Sequence, residues 1–195
     1  LLTATNNELK SQGLSNTNES NSSINSINRC IDQKPKTPEV ESQSLRVVAV
    51  GDIMLGRGVE YHLDRLNKDY TYPFHFVADV LRKGDVVFAD LESPLTESDH
   101  GLDSSGKIVL KSREKAAEGI KYAGFNILNL ANNHIMDYYE KGLLDTMRVL
   151  DDHEIAYAGA GKNIDEARKP AILEKNGIKV GVISYTDMAE LTFKG

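Results

Sequence analysis

The sequence predicts an α/β fold with parallel strands at the centre of its sheet. Three segments, at residues 45–50, 86–89 and 127–131, are short and rich in aliphatic and β-branched side chains, as are strands buried on both faces. Around them lie longer segments whose apolar residues recur at helical spacing. Strands that alternate with helices in this way are typical of a parallel sheet joined by crossover helices.

The chain opens with a segment that is not expected to fold. Residues 1–44 contain no aromatic residue and are dominated by Asn, Ser and Thr, so they bury too little apolar surface to offset the entropy of ordering. We interpret them as a disordered linker or stalk. Because the chain begins with Leu instead of Met, a missing upstream signal peptide or membrane anchor is one explanation, and a plain polar tail is the other. The folded domain is expected to span residues 45–195.

The remaining elements follow in order along the chain. Helices are predicted at residues 59–69, 74–84, 114–124 and 139–153. The helix at 114–124 is well defined, because Ala117, Ile120 and Ala123 fall on one face. A short strand and turn follow the last helix at "AYAGAG". Residues 169–187 then have the pattern of a β-hairpin, in which Asn176 and Gly177 supply the tight turn.

All three apolar strands end in polar side chains. These are Asp52 after the first strand, Asp90 and Glu92 after the second, and Asn132, Asn133, His134 and Asp137 after the third. In an open α/β sheet the ligand crevice lies at the carboxyl ends of the strands. Carboxylates, amides and one imidazole are ligands that Mg²⁺, Mn²⁺, Fe²⁺ and Zn²⁺ accept. The placement therefore predicts a metal-assisted site at one edge of the sheet.

Single residues in this set also have structural interpretations. Asp52, which follows a glycine, has the pattern of a turn or a helix cap. Asp137 precedes the helix that begins near Tyr138 and is expected to cap it. Arg57, five residues after Asp52, adds a fixed cation near the same edge and is predicted to bind an anionic substrate. A plain surface arginine is the alternative for Arg57.

The composition narrows the classes of function. The net charge is −6 and no basic cluster occurs, so nucleic acid is not expected as a partner. The single cysteine, Cys30, excludes both an internal disulfide and a cysteine-rich metal site. A metal at the strand ends therefore has to use oxygen and nitrogen ligands.

Three motifs together resemble a known family. They are "VVAVGDIMLGRGVE", "DVVFADLESPLTE" and the long stretch that begins "AGFNILNLANNHIMDYYEKG" and includes "GAGKNIDEARKP". In this order they resemble the CapA family of bacterial capsule (poly-γ-glutamate) synthesis proteins, over residues 45–187. That family is related to the calcineurin-like metallophosphoesterases. The resemblance implies a four-layer α-β-β-α sandwich with a two-metal site, of which this chain would supply the N-terminal part only.

The resemblance also implies roles for the polar residues. Asp52, either Asp90 or Glu92, and Asn133 would be metal ligands, where the family more often has asparagine at the position of Asp90. His134 would donate a proton or a hydrogen bond at the reacting group, or join the ligands. Met54 stands where the phosphoesterases carry a histidine, and a thioether is a poor ligand for a hard ion, so one metal position is expected to be weak or absent.

Two roles in cell-envelope polymer synthesis stay open at this point. In the first, the protein is a metal-dependent hydrolase or transferase acting on a phosphoester or polymer, which the acids at three strand ends favour. In the second, it is a non-catalytic subunit that guides an anionic polymer through a membrane-bound synthesis and export complex, which Met54 favours. Either role is expected on the extracytoplasmic face of the envelope. The family's later histidine motifs are not in this chain, so the chain alone is expected to bind metal weakly and to lack appreciable phosphoesterase activity.

Overall fold

The computed structural model describes residues 44–105 and 108–187. The strands are β1 (Val47–Ile53), β2 (Val86–Leu91), β3 (Ile127–Asn129), β4 (Ala156–Ala158), β5 (Ala171–Lys175) and β6 (Ile178–Val182). The helices are α1 (Gly58–Leu66), α2 (Ala78–Leu81), α3 (Ala116–Ala123), α4 (Tyr139–Asp152) and α5 (Ile164–Ala167), with a 3₁₀ turn at Tyr72–Phe74. The predicted linker at residues 1–44 lies outside the described residues except for its last position.

The strands form one parallel sheet and one hairpin. The first four strands pair in chain order, β1-β2-β3-β4, and every pair is parallel. The last two strands form a separate antiparallel pair. The predicted α/β class with central parallel strands is confirmed. The four-layer sandwich stays a prediction, since the part of the chain described here contains one four-stranded sheet and one two-stranded hairpin.

The centre of the sheet is buried on both faces. Ile127 and Leu128 are adjacent in β3 and project to opposite faces, yet both are completely inaccessible to solvent. Ala117, Ile120 and Ala123 of α3 are also fully buried, which confirms the predicted apolar face of that helix. The tight packing of these residues gives the strand ends a rigid support. None of the helices in the described ranges has the length and apolar character needed to cross a membrane.

β1 does not have the burial that its sequence predicts. Val47 is 54% exposed and Val50 is 41% exposed, although the strand was expected to be buried on both faces. Among the described residues, β1 lies at the edge of the four-stranded sheet and pairs only with β2, so less of the protein covers its side chains. Its register shifts between Ala49 and Asp52, as in a β-bulge, and Ile53 at its end is buried again.

The second predicted helix is largely absent. Residues 74–84 were expected to form one helix, but a 3₁₀ turn ends at Phe74 and α2 contains only four residues, Ala78–Leu81. Phe76 lies between the two and is 96% exposed. Apolar residues at helical spacing therefore do not ensure a continuous helix where an aromatic residue between them finds no surface to pack against.

The terminal hairpin forms as predicted. Asn176 and Gly177 have φ values of 53° and 74°, the left-handed pair that a two-residue type I′ turn requires. The Asn176 side chain donates a hydrogen bond to the carbonyl oxygen of Ser44 at 3.2 Å. The tip of the hairpin therefore lies beside the start of β1, away from the carboxyl ends of the parallel strands.

Candidate functional site

A row of polar side chains crosses the sheet near the carboxyl ends of its strands. Asp52 on β1 pairs in register with Asp90 on β2, and Asp90 pairs with Asn129 on β3. Residues paired in this way on parallel strands project to the same face of the sheet. Asp52 is exposed, whereas Asp90 and Asn129 are partly buried. The row places two carboxylates and one amide side by side on rigid strands.

Asp90 is held through one of its two carboxylate oxygens. Its Oδ1 accepts hydrogen bonds from the side-chain Nδ2 of Asn129 and from that of Asn132, the latter at 3.1 Å. Its Oδ2 has no hydrogen-bond partner among the described residues. Burial raises the pKa of Asp90 above its ordinary value, and the charge of Asp52 raises it further, although the two amides and His134 act in the opposite direction.

Asn132 ties the turn after β3 to strand β2. Its Nδ2 donates to the carbonyl oxygen of Leu91 at 2.8 Å as well as to Asp90. Its Oδ1 accepts the backbone N–H groups of His134 at 3.0 Å and Ile135 at 2.9 Å. The amide therefore uses both of its donors and both of its acceptor positions. The turn that carries His134 is fixed against the strand that carries Asp90.

His134 forms a hydrogen bond with a buried carboxylate. Its Nδ1 lies 2.8 Å from Oδ2 of Asp137, whose side chain is 4% exposed. The same Oδ2 accepts the backbone N–H of Leu110 at 2.6 Å. A carboxylate can only accept hydrogen bonds, so Nδ1 of His134 carries a proton and Nε2 is the nitrogen left for chemistry.

The expectation that Asp137 caps the following helix is wrong. The residue at the N-cap position of α4 is Tyr138, and no side chain makes a capping hydrogen bond there. The carboxylate of Asp137 is occupied instead by His134 and by the backbone of Leu110. A carboxylate that is buried three residues after a histidine orients the imidazole instead of the helix.

The other predicted site residues are less closely connected. The backbone N–H of Glu92 donates to the carbonyl oxygen of Ile53 at 3.1 Å, which links the segments that follow β1 and β2. Asn133 is exposed, and its side chain has no hydrogen-bond partner in the described ranges. Arg57 is exposed at the N-cap of α1, with φ of 52°. The structure thus pairs Asp52 with Asp90 and links Asp90 to the turn of His134 through Asn132. It gives no contact that joins the side chains of Glu92, Asn133 or Arg57 to these residues.

The carboxylates fit one side of a divalent-cation site. Asp52 and Asp90 are neighbours on adjacent strands, and each raises the energy of the other when both are ionised, a repulsion that a cation would relieve. The free Oδ2 of Asp90 is a suitable ligand atom. Among the described residues, however, no three His, Cys, Asp or Glu side chains lie together in a way that could hold a metal ion. Asn133, next to His134, carries an exposed amide whose oxygen is a neutral ligand atom.

Two residues of the site were missed by sequence reasoning. Asn129 received no role, and Asn132 was noted only as part of the polar turn, yet both bond to Asp90. A signal for Asn129 does exist, because it is a single amide inside an otherwise apolar strand, and a buried amide has to find hydrogen-bond partners. The contact with the backbone of Leu110 has no comparable signal, since it depends on how the segment after β2 folds back.

Comparison with known proteins relates the chain to capsule synthesis. Residues 46–194 match the family described as bacterial capsule synthesis protein PGA_cap. The chain is 36% identical over 149 residues to the capsule biosynthesis protein CapA of Bacillus anthracis, which covers 75% of this chain and 36% of that protein. It is 31% identical over 160 residues to the PGA biosynthesis protein CapA of Bacillus subtilis (strain 168), with coverage of 80% and 42%. The chain therefore spans less than half the length of these curated relatives.

Proposed function

The chain belongs to the bacterial capsule synthesis protein PGA_cap family, and on that premise we propose that it serves capsule or poly-γ-glutamate biosynthesis at the extracytoplasmic face of the cell envelope. The names of the two CapA relatives, a capsule biosynthesis protein and a PGA biosynthesis protein, support this process. Because the chain covers 36% and 42% of those proteins, the reaction, substrate and partners are part of the proposal.

Within that process, the proposed activity is metal-assisted hydrolysis or group transfer on a phosphoester or an anionic polymer. Asp52, Asp90 and Asn133 would hold a divalent ion such as Mn²⁺, Mg²⁺, Fe²⁺ or Zn²⁺, with Glu92 as an alternative carboxylate. When bound, such an ion lowers the pKa of water and stabilises developing negative charge. The pairing of Asp52 with Asp90 and the free Oδ2 of Asp90 support this ligand set.

The pair formed by His134 and Asp137 is the observation that carries the catalytic proposal. Asn132 joins the turn of His134 to Asp90, because its Nδ2 donates to the carboxylate and its Oδ1 accepts the backbone N–H of His134. In its protonated form, Nε2 of His134 gives a proton to the leaving group, and Asp137 stabilises the imidazolium through Nδ1. The N–H of Leu110 keeps the Asp137 carboxylate in place during this step.

A second candidate is a non-catalytic subunit that binds an anionic polymer within a membrane-bound synthesis complex. Arg57 favours it, because its guanidinium is exposed and has no ionic partner in the described part of the chain. Met54 favours it too, since a thioether at that position weakens a second metal site. Both candidate functions allow an anionic polymer as the binding partner, and only the first requires His134 to transfer a proton.

The experiment compares the full-length protein with His134→Gln and Arg57→Ala variants. Mn²⁺ binding is measured by calorimetry, and turnover is measured on a generic phosphodiester and on poly-γ-glutamate. Catalysis predicts that His134→Gln lowers turnover by about 10²–10⁴-fold with metal binding retained. Polymer binding that Arg57→Ala weakens, without turnover by the wild type, establishes the second candidate. Absence of turnover, metal binding and polymer binding would overturn both.

A further inference from the structure

We infer that Asn129 and Asn132 are positioning residues that fix the carboxylate of Asp90 and leave its Oδ2 as the oxygen that meets a ligand. We refer to these two residues as the amide clamp. The inference rests on the proposed function in one respect, since it takes a divalent cation as the ligand of Asp90. It goes beyond that proposal by assigning a role to two residues that are not ligands themselves.

The orientation of both amides is determined by their other hydrogen bonds. Oδ1 of Asn129 accepts the backbone N–H of Ala131 at 2.9 Å, so the NH₂ group of Asn129 has to face Asp90. Oδ1 of Asn132 accepts two backbone N–H groups, and its NH₂ group also has to face Asp90. Exchanging the oxygen and nitrogen of either amide would set donors against donors. The clamp therefore presents two N–H donors to one carboxylate oxygen.

The amide clamp limits which carboxylate oxygen of Asp90 can bind a ligand. A carboxylate that is free to rotate can bind a cation through either oxygen or through both. With Oδ1 taken by two charge-assisted hydrogen bonds, a cation meets Oδ2 alone unless the clamp opens. Partners that hydrogen-bond to a metal-binding carboxylate typically change metal affinity by about 10–100-fold when they are removed.

The two residues of the amide clamp differ in their remaining hydrogen bonds. Asn129 bonds to Asp90 and to its own strand end, so it acts on the carboxylate. Asn132 also fixes the backbone of His134, so it acts on both the carboxylate and the imidazole. Loss of Asn129 should therefore change the affinity for a cation, whereas loss of Asn132 should also change the proton-transfer step.

A third asparagine offers a matched control. Asn126 stands just before β3, at the opposite end from the site, and bridges to β2 in the same manner. Its Oδ1 accepts the N–H of Val87 at 2.9 Å, and its Nδ2 donates to the carbonyl oxygen of Asp85 at 2.9 Å. Asn126→Ala removes an amide bridge between the same two strands without touching Asp90.

The test measures the dissociation constant of Mn²⁺ for full-length protein carrying Asn129→Ala, Asn132→Ala or Asn126→Ala, at a temperature where all variants are folded. The inference predicts a rise of about 10–100-fold for the two clamp variants and no change for Asn126→Ala. At saturating Mn²⁺, Asn129→Ala should regain its turnover and Asn132→Ala should not. A dissociation constant that rises equally in all three variants, or in none, would overturn the inference.

A metal-independent measurement separates failure of the clamp from failure of the proposed function. If the wild type binds no Mn²⁺, the metal-assisted function is wrong, and the clamp is decided by the side-chain NH₂ signals in ¹H–¹⁵N spectra. Asp90→Ala should then shift the NH₂ signals of Asn129 and Asn132 and leave that of Asn126 unchanged. Signals of the clamp residues that do not respond to Asp90→Ala would show that Asp90 is not held by them.

Discussion

Nδ1 of His134 and Oδ2 of Asp137 lie 2.8 Å apart, within a single turn that precedes α4. The two residues are three positions apart, so their hydrogen bond closes within one local turn, and the backbone N–H of Leu110, 27 residues earlier, holds the same carboxylate oxygen. What the sheet and the amide clamp determine is the position of this pair relative to Asp90. The pair and the carboxylate row are therefore distinct units, joined through Asn132.

Replacing Asp137 by Asn should affect stability and activity together. Both hydrogen bonds go to Oδ2, so an amide oxygen in that place can still accept from Leu110 and from His134, but it lacks the negative charge of the carboxylate. We expect the free energy of unfolding to fall by about 1–3 kcal/mol, because a buried donor loses its charged acceptor. Turnover by the full-length protein should fall by about 10–100-fold. Urea unfolding and steady-state kinetics measure the two effects.

Glu140→Gln is the control for this substitution. Glu140 lies on the exposed side of the first turn of α4, and its replacement by Gln also removes one negative charge. The free energy of unfolding of the Glu140→Gln variant should stay within about 0.5 kcal/mol of that of the wild type. Equal behaviour of the two variants would mean that Asp137 contributes charge alone and does not orient His134.

Asp145 should make the stability of the protein depend on pH in the acidic range. Burial alone would raise its pKa, but hydrogen bonds from Lys141 and Thr96 outweigh burial and hold the pKa of Asp145 below its ordinary value. A carboxyl group with a lowered pKa in the folded state stabilises the protein above the unfolded-state pKa and loses that contribution as the pH falls through the folded-state pKa. We therefore expect Asp145→Asn to be less stable by about 1–3 kcal/mol at pH 7 and to approach the wild type as the pH falls through the lowered folded-state pKa of Asp145.

The measurement is urea unfolding of both proteins at pH 7, 4 and 3. Other titrating groups are common to the two proteins, so the difference between them isolates Asp145. Asp152→Asn serves as the matched control, because Asp152 lies in the same helix and its side chain is 64% exposed in its pair with Arg148. A constant difference between wild type and Asp145→Asn over the whole pH range would contradict the assignment.

The sequence was a good guide wherever one strong local pattern decided the structure. The hairpin followed from Asn176 and Gly177, because few residue pairs accept two consecutive left-handed conformations. The buried face of α3 followed from alanines and an isoleucine at helical spacing. The order of the strands and the burial of their side chains could not be predicted from local patterns in this way. An apolar run such as that of β1 predicts a strand. Whether a second strand pairs with its other edge depends on the order of all the strands in the sheet.

The site shows the same division between local and non-local information. The polar groups at the strand ends were visible in the sequence because each follows an apolar run. The role of Asp137 was not, since a helix cap and a histidine partner are both consistent with an aspartate just before a helix. Only the approach of the Leu110 backbone, 27 residues earlier in the chain, shows which one is formed.

Gly119→Ala should destabilise the protein strongly for a steric reason. A Cβ atom at this position in α3 would lie 2.0 Å from the carbonyl oxygen of Tyr70. Tyr70 cannot move freely, because it is buried and its hydroxyl donates to Glu60 at 2.9 Å. We expect a loss of about 3 kcal/mol or more, at the upper end of overpacking effects. Gly58→Ala in α1, where a Cβ atom would meet nothing within 4 Å, should be neutral or slightly stabilising by the same thermal and urea unfolding measurements.

Arg57→Gly should raise stability while it lowers affinity for an anionic polymer. Arg57 has φ of 52° and ψ of −119°, a conformation that glycine adopts readily and that costs other residues about 1–3 kcal/mol. Relief of this strain should raise the free energy of unfolding by about 1 kcal/mol after the greater flexibility of glycine is subtracted. Loss of the exposed guanidinium should weaken binding of labelled poly-γ-glutamate, measured by fluorescence anisotropy. Arg57→Ala should weaken binding equally without the gain in stability, and unchanged binding in both variants would exclude a role for this cation.

The chain of 195 residues should bind Mn²⁺ and Zn²⁺ weakly by itself and show no appreciable phosphodiesterase activity. A catalytic metal needs at least three protein ligands and an open position. Asp52 and Asp90 supply two carboxylates, and no third acid, histidine or cysteine joins them among the described residues. The amide of Asn133 adds a neutral ligand, which attracts a cation less than a carboxylate does.

Calorimetric titration of each ion into this chain and into the full-length protein, with hydrolysis of a generic phosphodiester in parallel, tests this expectation. Asp52→Asn combined with Asp90→Asn should abolish the weak binding, because removal of both negative charges leaves only neutral ligands at the polar row. Binding that survives this double substitution would belong to another place on the surface. Tight stoichiometric binding together with turnover by the 195-residue chain would mean that its own residues already form a complete metal site, and the ligand count derived from Asp52 and Asp90 would then be wrong.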